Sequence, residues 1–434
     1  MANREKLENI YFLFQPIHLI SKLTCLTILK KSSIKNNEDK ISRMSVNINK
    51  ICALILIIII ICASTFVYVY KYIHYNKQDI IDHVHLTHFS ICISTAVTGL
   101  FISVLKVEEG VRKILHIISE FDELLKIPRY FYNKDTKTVK IGLISLVILY
   151  ISMLVCDFIS CNLNITCNLF VSVIDYAILI HFILIAQYIT VIFLVKERFQ
   201  LIKHFIVLPD IKYSTWYEKF ERLGIININD TKNAKLLTEE TRKFVIIESQ
   251  THKILNVNTI NQINYIHKQK VHFKILRIAY ETLCNVIHLI NTIFGFQILL
   301  SIIALCTEVT SNFYYAIQNM SLSTHINAWD IITISFHIIW AIQYLSLLFV
   351  ITAVCNSVKM KSNETNILLQ RLLLIPELHP ETVTEIELFI QQISNSKMKF
   401  TAWGFFTIDS KLMGSILGAI TTVLVMLIQF HKIV

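Results

Sequence analysis

The sequence predicts an all-α integral membrane protein with seven transmembrane helices. The N-terminus is expected in the cytoplasm and the C-terminus outside, with long cytoplasmic helical extensions that form an anchor domain. Hydrophobic residues make up 54% of the 434-residue chain and charged residues only 17%, whereas soluble domains carry about 25% charged residues. The apolar residues are gathered in runs long enough to cross a bilayer. All five prolines lie outside these runs, which favours uninterrupted helices.

Seven stretches have the length and composition of a transmembrane helix. In chain order they are 51–70, 84–105, 139–160, 169–195, 283–306, 329–355 and 411–430. The first is entirely aliphatic from Leu54 to Ile61, and it lacks the small-residue cleavage pattern of a signal peptide, so we interpret it as an anchor. The apolar segment from Ile10 to Leu29 is interrupted by Pro16, His18 and Lys22. We expect it to be an interfacial or re-entrant piece.

Lys and Arg residues divide the loops into two groups. Loops predicted to be cytoplasmic hold nine in 1–50, seven in 106–138, fifteen in 196–282 and six in 356–411. The opposite loops hold two in 71–83, one in 431–434, and none in 161–168 or 307–328. The positive-inside rule therefore places the N-terminus in the cytoplasm and the C-terminus outside. The net charge of +10 is explained by these loops and gives no reason to expect a nucleic-acid partner.

The chain is thereby predicted to divide into six segments. They are a cytoplasmic segment with the interfacial piece (1–50), transmembrane helices 1–4 (51–195), a cytoplasmic helical loop (196–282), transmembrane helices 5–6 (283–355), cytoplasmic anchor helices (356–410) and the last transmembrane helix (411–434). Helical spacing of aliphatic residues predicts that the fourth, fifth and sixth helices extend below the membrane. Pro376 and Pro380 end the sixth, and an amphipathic helix follows. Its apolar face packs either within one subunit or between subunits.

Two glycosylation sequons, at Asn164 and Asn319, fall in predicted outer loops. Two others, at Asn229 and Asn363, fall in predicted cytoplasmic loops, where we expect no glycan. Cys161 and Cys167 flank one outer loop, and the sequence leaves open whether they form a disulfide.

The last helix carries small residues and an unusual amide. Gly414 and Gly418 form a G-x-x-x-G motif, which allows close helix contact in lipid or ordinary packing within the subunit. Ala419, Val423, Met426, Gln429 and Phe430 share one side of this helix. Gln429 is expected to face protein or water, because an amide facing lipid is costly. Met426 and Phe430 beside it either close a conduit by dewetting or simply pack near the interface.

The C-terminal third resembles the insect gustatory receptor family, relatives of the insect odorant receptors and their co-receptor. The resemblance rests on the closing run Thr422–Phe430, on the lead-in Phe400–Asp409 and on the pattern from Arg277 to Leu300. The resemblance implies a ligand-gated, nonselective cation channel in the plasma membrane, a homotetramer or a heteromer with other receptors of the family. It also implies that residues 411–434 line the pore, with Met426, Gln429 and Phe430 at the gate.

Two positions of the closing run bear on the comparison with the family. Val423 stands where the family usually has a tyrosine, so the packing of the pore helix is expected to differ. Leu424 stands where the sugar-receptor branch has an acid, so a bitter or deterrent plant compound is favoured over a sugar as the tastant.

Polar and aromatic residues in the predicted outer halves of the spans are the candidates for the tastant pocket, because ionisable groups inside a membrane mark functional sites. They are His88, Phe89, Asp157, Asp175, Tyr176, His181, Trp329, His337 and Trp340. For each of them a packing role is the alternative. No metal site or cofactor is predicted, since His85 and His88 have no third ligand in the sequence pattern. The expected partners are therefore the tastant and membrane lipids.

Three other function classes fit the sequence less well. A G-protein-coupled receptor would place its N-terminus outside, against the charge pattern, and its usual motifs in the third and seventh spans are missing. A secondary transporter would show internal repeats and broken helices. An intramembrane enzyme needs a catalytic pair at a defined spacing, and the spans carry none.

Overall fold

The computed structural model describes residues 39–73, 80–125, 127, 129–160, 165–207, 255–322, 328–374, 378–396 and 398–433. Within these ranges the chain is helical apart from one short hairpin. The helices are α1 (Asp39–Ile73), α2 (Ile80–Ile102), α3 (Glu108–Leu124), α4 (Arg129–Ser160), α5 (Ile165–Val207), α6 (Leu255–Leu322), α7 (Ala328–Leu372), α8 (Pro380–Asn395) and α9 (Ser410–Ile433). A π-helical turn, Ser103–Val107, joins α2 to α3, and strands β1 (Thr401–Ala402) and β2 (Phe406–Thr407) precede α9.

Five of these helices contain a segment that is long and apolar enough to cross a membrane. The segments are Phe89–Val107, Val173–Ile206, Gln269–Met320, Asp330–Leu372 and Ser410–Phe430. Shorter apolar stretches at Lys50–Phe66 and Val139–Ser152 coincide with the first and third predicted spans. The all-α membrane class is thus confirmed, while the count of seven spans and the orientation stay predictions. The segment from Ile10 to Leu29, the pair Cys161 and Cys167, and Asn164 lie outside the described residues.

The predicted extensions of the helices are observed. Helix α5 continues to Val207, α6 begins at Leu255 and α7 runs to Leu372, each beyond its predicted span. Helix α6 also continues past the predicted end of the fifth span at residue 306 and runs to Leu322, through most of the predicted outer loop; the span boundary itself stays a prediction. Helix α3 lies where a cytoplasmic loop is predicted.

The chain forms two compact units. The first is drawn from Met1–Arg198, Thr282–Met360 and Met398–Val434, and the second from Phe199–Glu281 and Lys361–Lys397. In the second unit, Tyr280 is completely buried, and its hydroxyl lies 2.8 Å from Ser362 Oγ and 3.2 Å from Ser396 Oγ. Its ring contacts those of Phe199 and Phe389 edge-on.

Helix α8 belongs to the second unit and begins with Pro380 at its first turn. Its apolar face, which includes Ile386, Phe389 and Ile393, is buried within the single chain. Of the two alternatives that the sequence left open, this burial supports packing within one subunit for that face of α8.

In the first unit, α2 packs between α1 and α5. The shared apolar cluster is built on Ile57, Ile60, Phe89, Ile93, Ala96, Leu100, Ala177, Ile180, Ile183 and Leu184. A side chain at Gly99 would collide with Leu184, so the absence of a Cβ at this position allows α2 and α5 to approach closely.

A buried ion pair joins α3 to α5 in the same unit. Arg198 donates from Nε to Asp122 Oδ1 at 3.1 Å and from Nη2 to Asp122 Oδ2 at 2.8 Å. The two side chains are 2% and 0% exposed. This is the bidentate geometry that suits guanidinium and carboxylate, and it satisfies two charges in a place without solvent.

The hairpin of β1 and β2 docks on α6 just before the last helix. Strand β1 pairs antiparallel with β2, with Ala402 opposite Phe406, and the turn between them holds Trp403 and Gly404 in the left-handed region at φ 50° and 81°. Asn291 on α6 fixes the approach to the hairpin, because its Nδ2 donates to the carbonyl of Lys399 at 2.8 Å and its Oδ1 accepts from the amide of Thr401 at 3.0 Å.

Gly295 on α6 is expected to be required for this docking. A Cβ there would lie 3.0 Å from the backbone nitrogen of Trp403 and 3.3 Å from its Cα, and backbone atoms cannot swing aside. We expect Gly295→Ala to cost roughly 1–3 kcal/mol of overpacking, partly offset by the ~0.5–1 kcal/mol that alanine gains over glycine in a helix. Gly142→Ala is the control, because no atom lies within 4 Å of the new Cβ and only the helix gain applies. Thermal unfolding of the detergent-purified variants, followed by size-exclusion chromatography, measures the difference. Equal shifts in both variants would contradict the docking.

Candidate functional site

Helix α9 is apolar but hardly buried by the rest of the chain. Among the α9 residues whose side chains are described, only Ile416 and Ile420 are buried, at 6% and 7% exposure. The predicted gate residues lie on the exposed part: Met426 is 51% and Phe430 56% exposed, and Gln429 is exposed as well. The surface of α9 is therefore left for lipid, water or another subunit.

A stripe of mostly polar or small residues runs along α9, opposite the buried face. Its members follow one another at alternating intervals of four and three residues, the spacing that keeps side chains on one helix face. They are Lys411, Ser415, Gly418, Thr422, Val425 and Gln429, and all six are exposed. We call this set the α9 stripe. Met426 and Phe430 flank it near Gln429.

The small residues of α9 are not used for packing within the chain. A Cβ at Gly414 or at Gly418 would meet no atom within 4 Å in the part of the chain that the structure describes. The hydroxyl of Thr422 donates to the carbonyl of Gly418 at 2.9 Å, so it is satisfied inside the helix. Packing within the subunit, one of the two roles considered for the G-x-x-x-G motif, is thus not what these glycines do here.

The start of α9 is fixed by a side-chain cap. Asp409 Oδ1 accepts hydrogen bonds from the backbone amides of Lys411 at 3.0 Å and of Leu412 at 3.3 Å. An aspartate at this position satisfies amides that have no partner inside the helix.

A second polar region lies inside the first unit, around the middle of α6. Glu308 is 1% exposed, and its Oε1 accepts a hydrogen bond from the Cys92 thiol of α2 at 2.9 Å. His181 of α5 is 6% exposed and close enough to Glu308 to interact with it electrostatically. A buried carboxylate inside an apolar span is costly, and such groups usually mark a functional site.

One helical turn further along α6, the polar region continues toward α7. Asn312 donates from Nδ2 to the carbonyl of Glu308 at 2.9 Å, and its Oδ1 lies 3.0 Å from Nδ1 of His337. The His337 ring is tilted against that of Tyr315, with centroids 5.3 Å apart. Two candidates from the sequence, His181 and His337, are thus brought to the same stretch of α6 from α5 and α7. We call Cys92, His181, Glu308, Asn312, Tyr315 and His337 the α6 polar cluster.

The cluster belongs to a longer buried seam on α6. Its residues again alternate at intervals of four and three: Gln297, Ser301, Ala304, Glu308, Ser311, Tyr315 and Gln318. Within the described residues, the side-chain amides of Gln297 and Gln318 and the Ser301 hydroxyl have no hydrogen-bond partner. Each such group costs about 1–3 kcal/mol when buried dry. The seam is therefore suited to contact water or a polar ligand.

Comparison with known proteins agrees with this architecture. The fold matches the olfactory receptor OR5 of Machilis hrabei, solved in complex with eugenol, with a TM-score of 0.61 over 98% of this chain and 99% of that one, at 8% identity. A second structure of the same olfactory receptor matches with a TM-score of 0.55, over 96% and 97% of the two chains, at 9% identity. Residues 237–433 match the family model of the 7tm Chemosensory receptor. The C-terminal part of the chain is thus similar in sequence to the chemosensory receptors, and the whole chain shares the fold of an insect olfactory receptor.

Curated relatives of this chain come from Drosophila melanogaster. Putative gustatory receptor 2a is 28% identical over 178 residues, which is 36% of this chain and 40% of the relative. Gustatory receptor 68a is 30% identical over 159 residues, or 35% and 40% of the two chains. The matches thus span about two fifths of each relative. Together with the apolar helices, they identify a multi-pass membrane protein.

The remaining pocket candidates lie in different surroundings. Phe89 is 3% exposed and belongs to the apolar cluster of α1, α2 and α5, against which Tyr176 also packs, so packing explains both rings. The carbonyl of Asp175 accepts from the Tyr150 hydroxyl at 3.2 Å. Trp340 is half-buried, and its Nε1 has no hydrogen-bond partner in the described part of the chain.

Other candidates are placed on a helix without a described side chain. His88 lies on α2, Asp157 on α4 and Trp329 on α7. Asn319 lies on α6 and is half-buried, in contrast to the predicted outer loop. Glycosylation at Asn164 and Asn319 stays a prediction.

Sequence reasoning misses Glu308, an acid that is only 1% exposed. Hydropathy places Glu308 in the outer loop 307–328, because polar residues from Thr307 onward lower the hydropathy there. The signal that would have found it is the alternating four- and three-residue spacing from Gln297 to Gln318, which continues the helix past the end of the apolar run.

Proposed function

We propose that this chemosensory receptor is a gustatory receptor of the plasma membrane that acts as a ligand-gated, nonselective cation channel. A small tastant binds inside each subunit at the α6 polar cluster, and the α9 helices of a homotetramer, or of a heteromer with related receptors, line the pore. The observation that carries the proposal is the α9 stripe, an exposed row of polar and small residues along an apolar helix that its own chain hardly covers.

The stripe argues for a pore because its members are poorly suited to lipid. Lysine and glutamine side chains in contact with hydrocarbon are costly, whereas both are hydrated in a conduit. When several copies of α9 face a common axis, glycines at 414 and 418 let the helices approach and Gln429 meets permeating ions. Met426 and Phe430 then form an apolar ring that closes the conduit by excluding water.

The α6 polar cluster argues for ligand binding in the interior of the subunit. The helices α2, α5, α6 and α7 each contribute at least one side chain to the cluster. A molecule bound there therefore contacts all four helices, which must move together. His181, Asn312 and His337 offer hydrogen-bonding groups beside the Tyr315 ring, a combination suited to an aromatic or nitrogen-containing plant compound. A bitter or deterrent compound is favoured over a sugar. The complex of OR5 with eugenol, a small organic molecule on a protein of this fold, is consistent with such a ligand.

The proposal is tested by measurement of the ligand-evoked current. Expressed alone in a non-insect cell and screened against plant metabolites and sugars, the receptor is expected to give a ligand-evoked cation current. The current should persist when G proteins are blocked, because the pore belongs to the receptor. A response that disappears under the blockade would rule out the channel.

The α9 stripe is tested by Gln429→Ala, with Leu417→Ala as the control. Leu417 is also exposed, at 43%, but lies outside the stripe. Loss of an amide interaction that favours one of two cations by about 1 kcal/mol changes their relative permeability by about fivefold. We expect such a change for Gln429→Ala, measured from reversal potentials in mixed sodium and potassium solutions, and none for Leu417→Ala. If both variants had the same relative permeability as the parent, Gln429 would have a packing role only.

A further inference from the structure

A cavity lies at the base of α9, in the first unit. Its volume is about 110 Å³, and it lies between α6, the part of α7 around Lys359 and the hairpin. Its lining combines polar side chains of Asn356, Lys359, Lys399 and Asp409 with apolar ones such as Ile287 and Phe400. It does not overlap the α6 polar cluster or the α9 stripe.

The charges in this cavity favour an anion. Asp409 uses Oδ1 to cap α9, and its Oδ2 is 3.9 Å from Nζ of Lys359, at the outer limit of an ion pair. Lys399 is exposed, and in the described part of the chain no carboxylate pairs with its ammonium group. The cavity is therefore lined by two ammonium groups and by only one carboxylate, that of Asp409. One oxygen of this carboxylate is already hydrogen-bonded to the start of α9.

The hairpin beside the cavity carries an exposed aromatic surface. Trp403 is 58% exposed and Phe405 71%, and their rings are in contact, with centroids 5.8 Å apart. Phe296 of α6 supports Trp403 edge-on at 4.7 Å. Surfaces that lie at the boundary between lipid headgroups and acyl chains typically combine aromatic side chains with lysines.

The position of the cavity along the helices points to the same boundary. Lys359 lies just after the sixth span predicted from the sequence, 329–355, although still within the long apolar segment Asp330–Leu372 of α7, and α9 enters its apolar segment at Ser410. By the Lys and Arg pattern of the loops, this is the cytoplasmic face, whose leaflet carries the anionic lipids.

We propose that this cavity binds the headgroup of an anionic phospholipid of the cytoplasmic leaflet. The lipid phosphate lies between Lys359 and Lys399, and the upper acyl chains contact Trp403 and Phe405. The phosphate competes with Asp409 for Lys359. Lipid binding therefore acts directly on the Asp409 side chain, which caps α9.

The test uses full-length receptor reconstituted in phosphatidylcholine vesicles, with brominated phosphatidylserine or brominated phosphatidylcholine added to quench tryptophan fluorescence. We expect phosphatidylserine to quench at the lower mole fraction. Each lysine near an anionic membrane surface contributes about fivefold to affinity. The double variant Lys359→Gln with Lys399→Gln should therefore raise the mole fraction of phosphatidylserine needed for quenching by about 25-fold. The double variant Lys106→Gln with Lys113→Gln removes the same charge from positions elsewhere and should leave it unchanged.

Three outcomes would overturn the assignment. They are equal quenching by the two lipids, equal effects of the two double variants, and displacement of phosphatidylserine by inorganic phosphate at matched concentration, which would indicate a site for a soluble anion. The assay requires neither a tastant nor a current. Its failure is thus distinguishable from failure of the channel proposal.

Discussion

Replacing Arg198 by methionine is expected to destabilise the receptor by about 3–5 kcal/mol, because removal of one partner of a buried ion pair leaves the other charge without compensation. The Asp122 carboxylate is completely buried and accepts two hydrogen bonds from this guanidinium. Methionine fills a similar volume but donates nothing. The loss should appear as a lower unfolding temperature in detergent and as reduced surface expression.

Two further variants separate this effect from ordinary loss of a charge. Lys203→Met breaks the pair with Glu364, whose side chains are 39% and 34% exposed, and should cost no more than about 1 kcal/mol. Asp122→Leu combined with Arg198→Met should recover much of the lost stability, since apolar replacement of a whole buried pair is often neutral. Equal destabilisation by Lys203→Met and Arg198→Met would show that burial of the Arg198 pair has no special weight.

Glu308→Gln is expected to weaken the ligand-evoked response by about 10- to 100-fold, the range that corresponds to a hydrogen bond with a charged group. The substitution keeps the shape of the side chain but replaces by an amide the carboxyl group that accepts the hydrogen bond of the Cys92 thiol. We expect a higher half-maximal ligand concentration with near-normal surface expression. Calcium imaging and surface biotinylation measure the two quantities separately.

Glu364→Gln provides the matched control for this prediction. Glu364 lies in the second unit, is half-exposed and bonds Lys203 and Lys361, so its loss should leave the half-maximal concentration unchanged. If Glu308→Gln lowers surface expression without moving the half-maximal concentration, Glu308 serves the fold alone.

Much of the helical framework could be predicted, because runs of aliphatic residues leave few alternatives. The extension of α6 before its span and of α7 beyond it also follows from local periodicity. The end of α6 could not be located by hydropathy: Thr307, Glu308 and Asn312 resemble loop residues by composition. They are buried because neighbouring helices supply their partners, which a single sequence does not display.

The hairpin before α9 shows another limit of sequence reasoning. Its strands have two residues each, too few to give a periodic signal. The hairpin depends instead on contacts with α6 at Asn291 and Gly295, which are distant in sequence. The candidate pocket could be predicted only in part. His181 and His337 stand out in the sequence as ionisable groups in apolar spans. Their common position beside α6 depends on the packing of the helices, which the sequence does not display.

The sparse burial of α9 has a consequence for how such receptors diversify. Residues of the α9 stripe make few contacts with their own chain, so substitutions there cost a subunit little folding free energy. Val423 lies outside the stripe, at the place where the family resemblance leads us to expect a tyrosine, and at 46% exposure it is equally open to replacement. The residues of the α6 polar cluster are held by several helices at once and have no such freedom. The surface of α9 and the α6 polar cluster can therefore evolve at different rates within one subunit, with α9 the more permissive of the two.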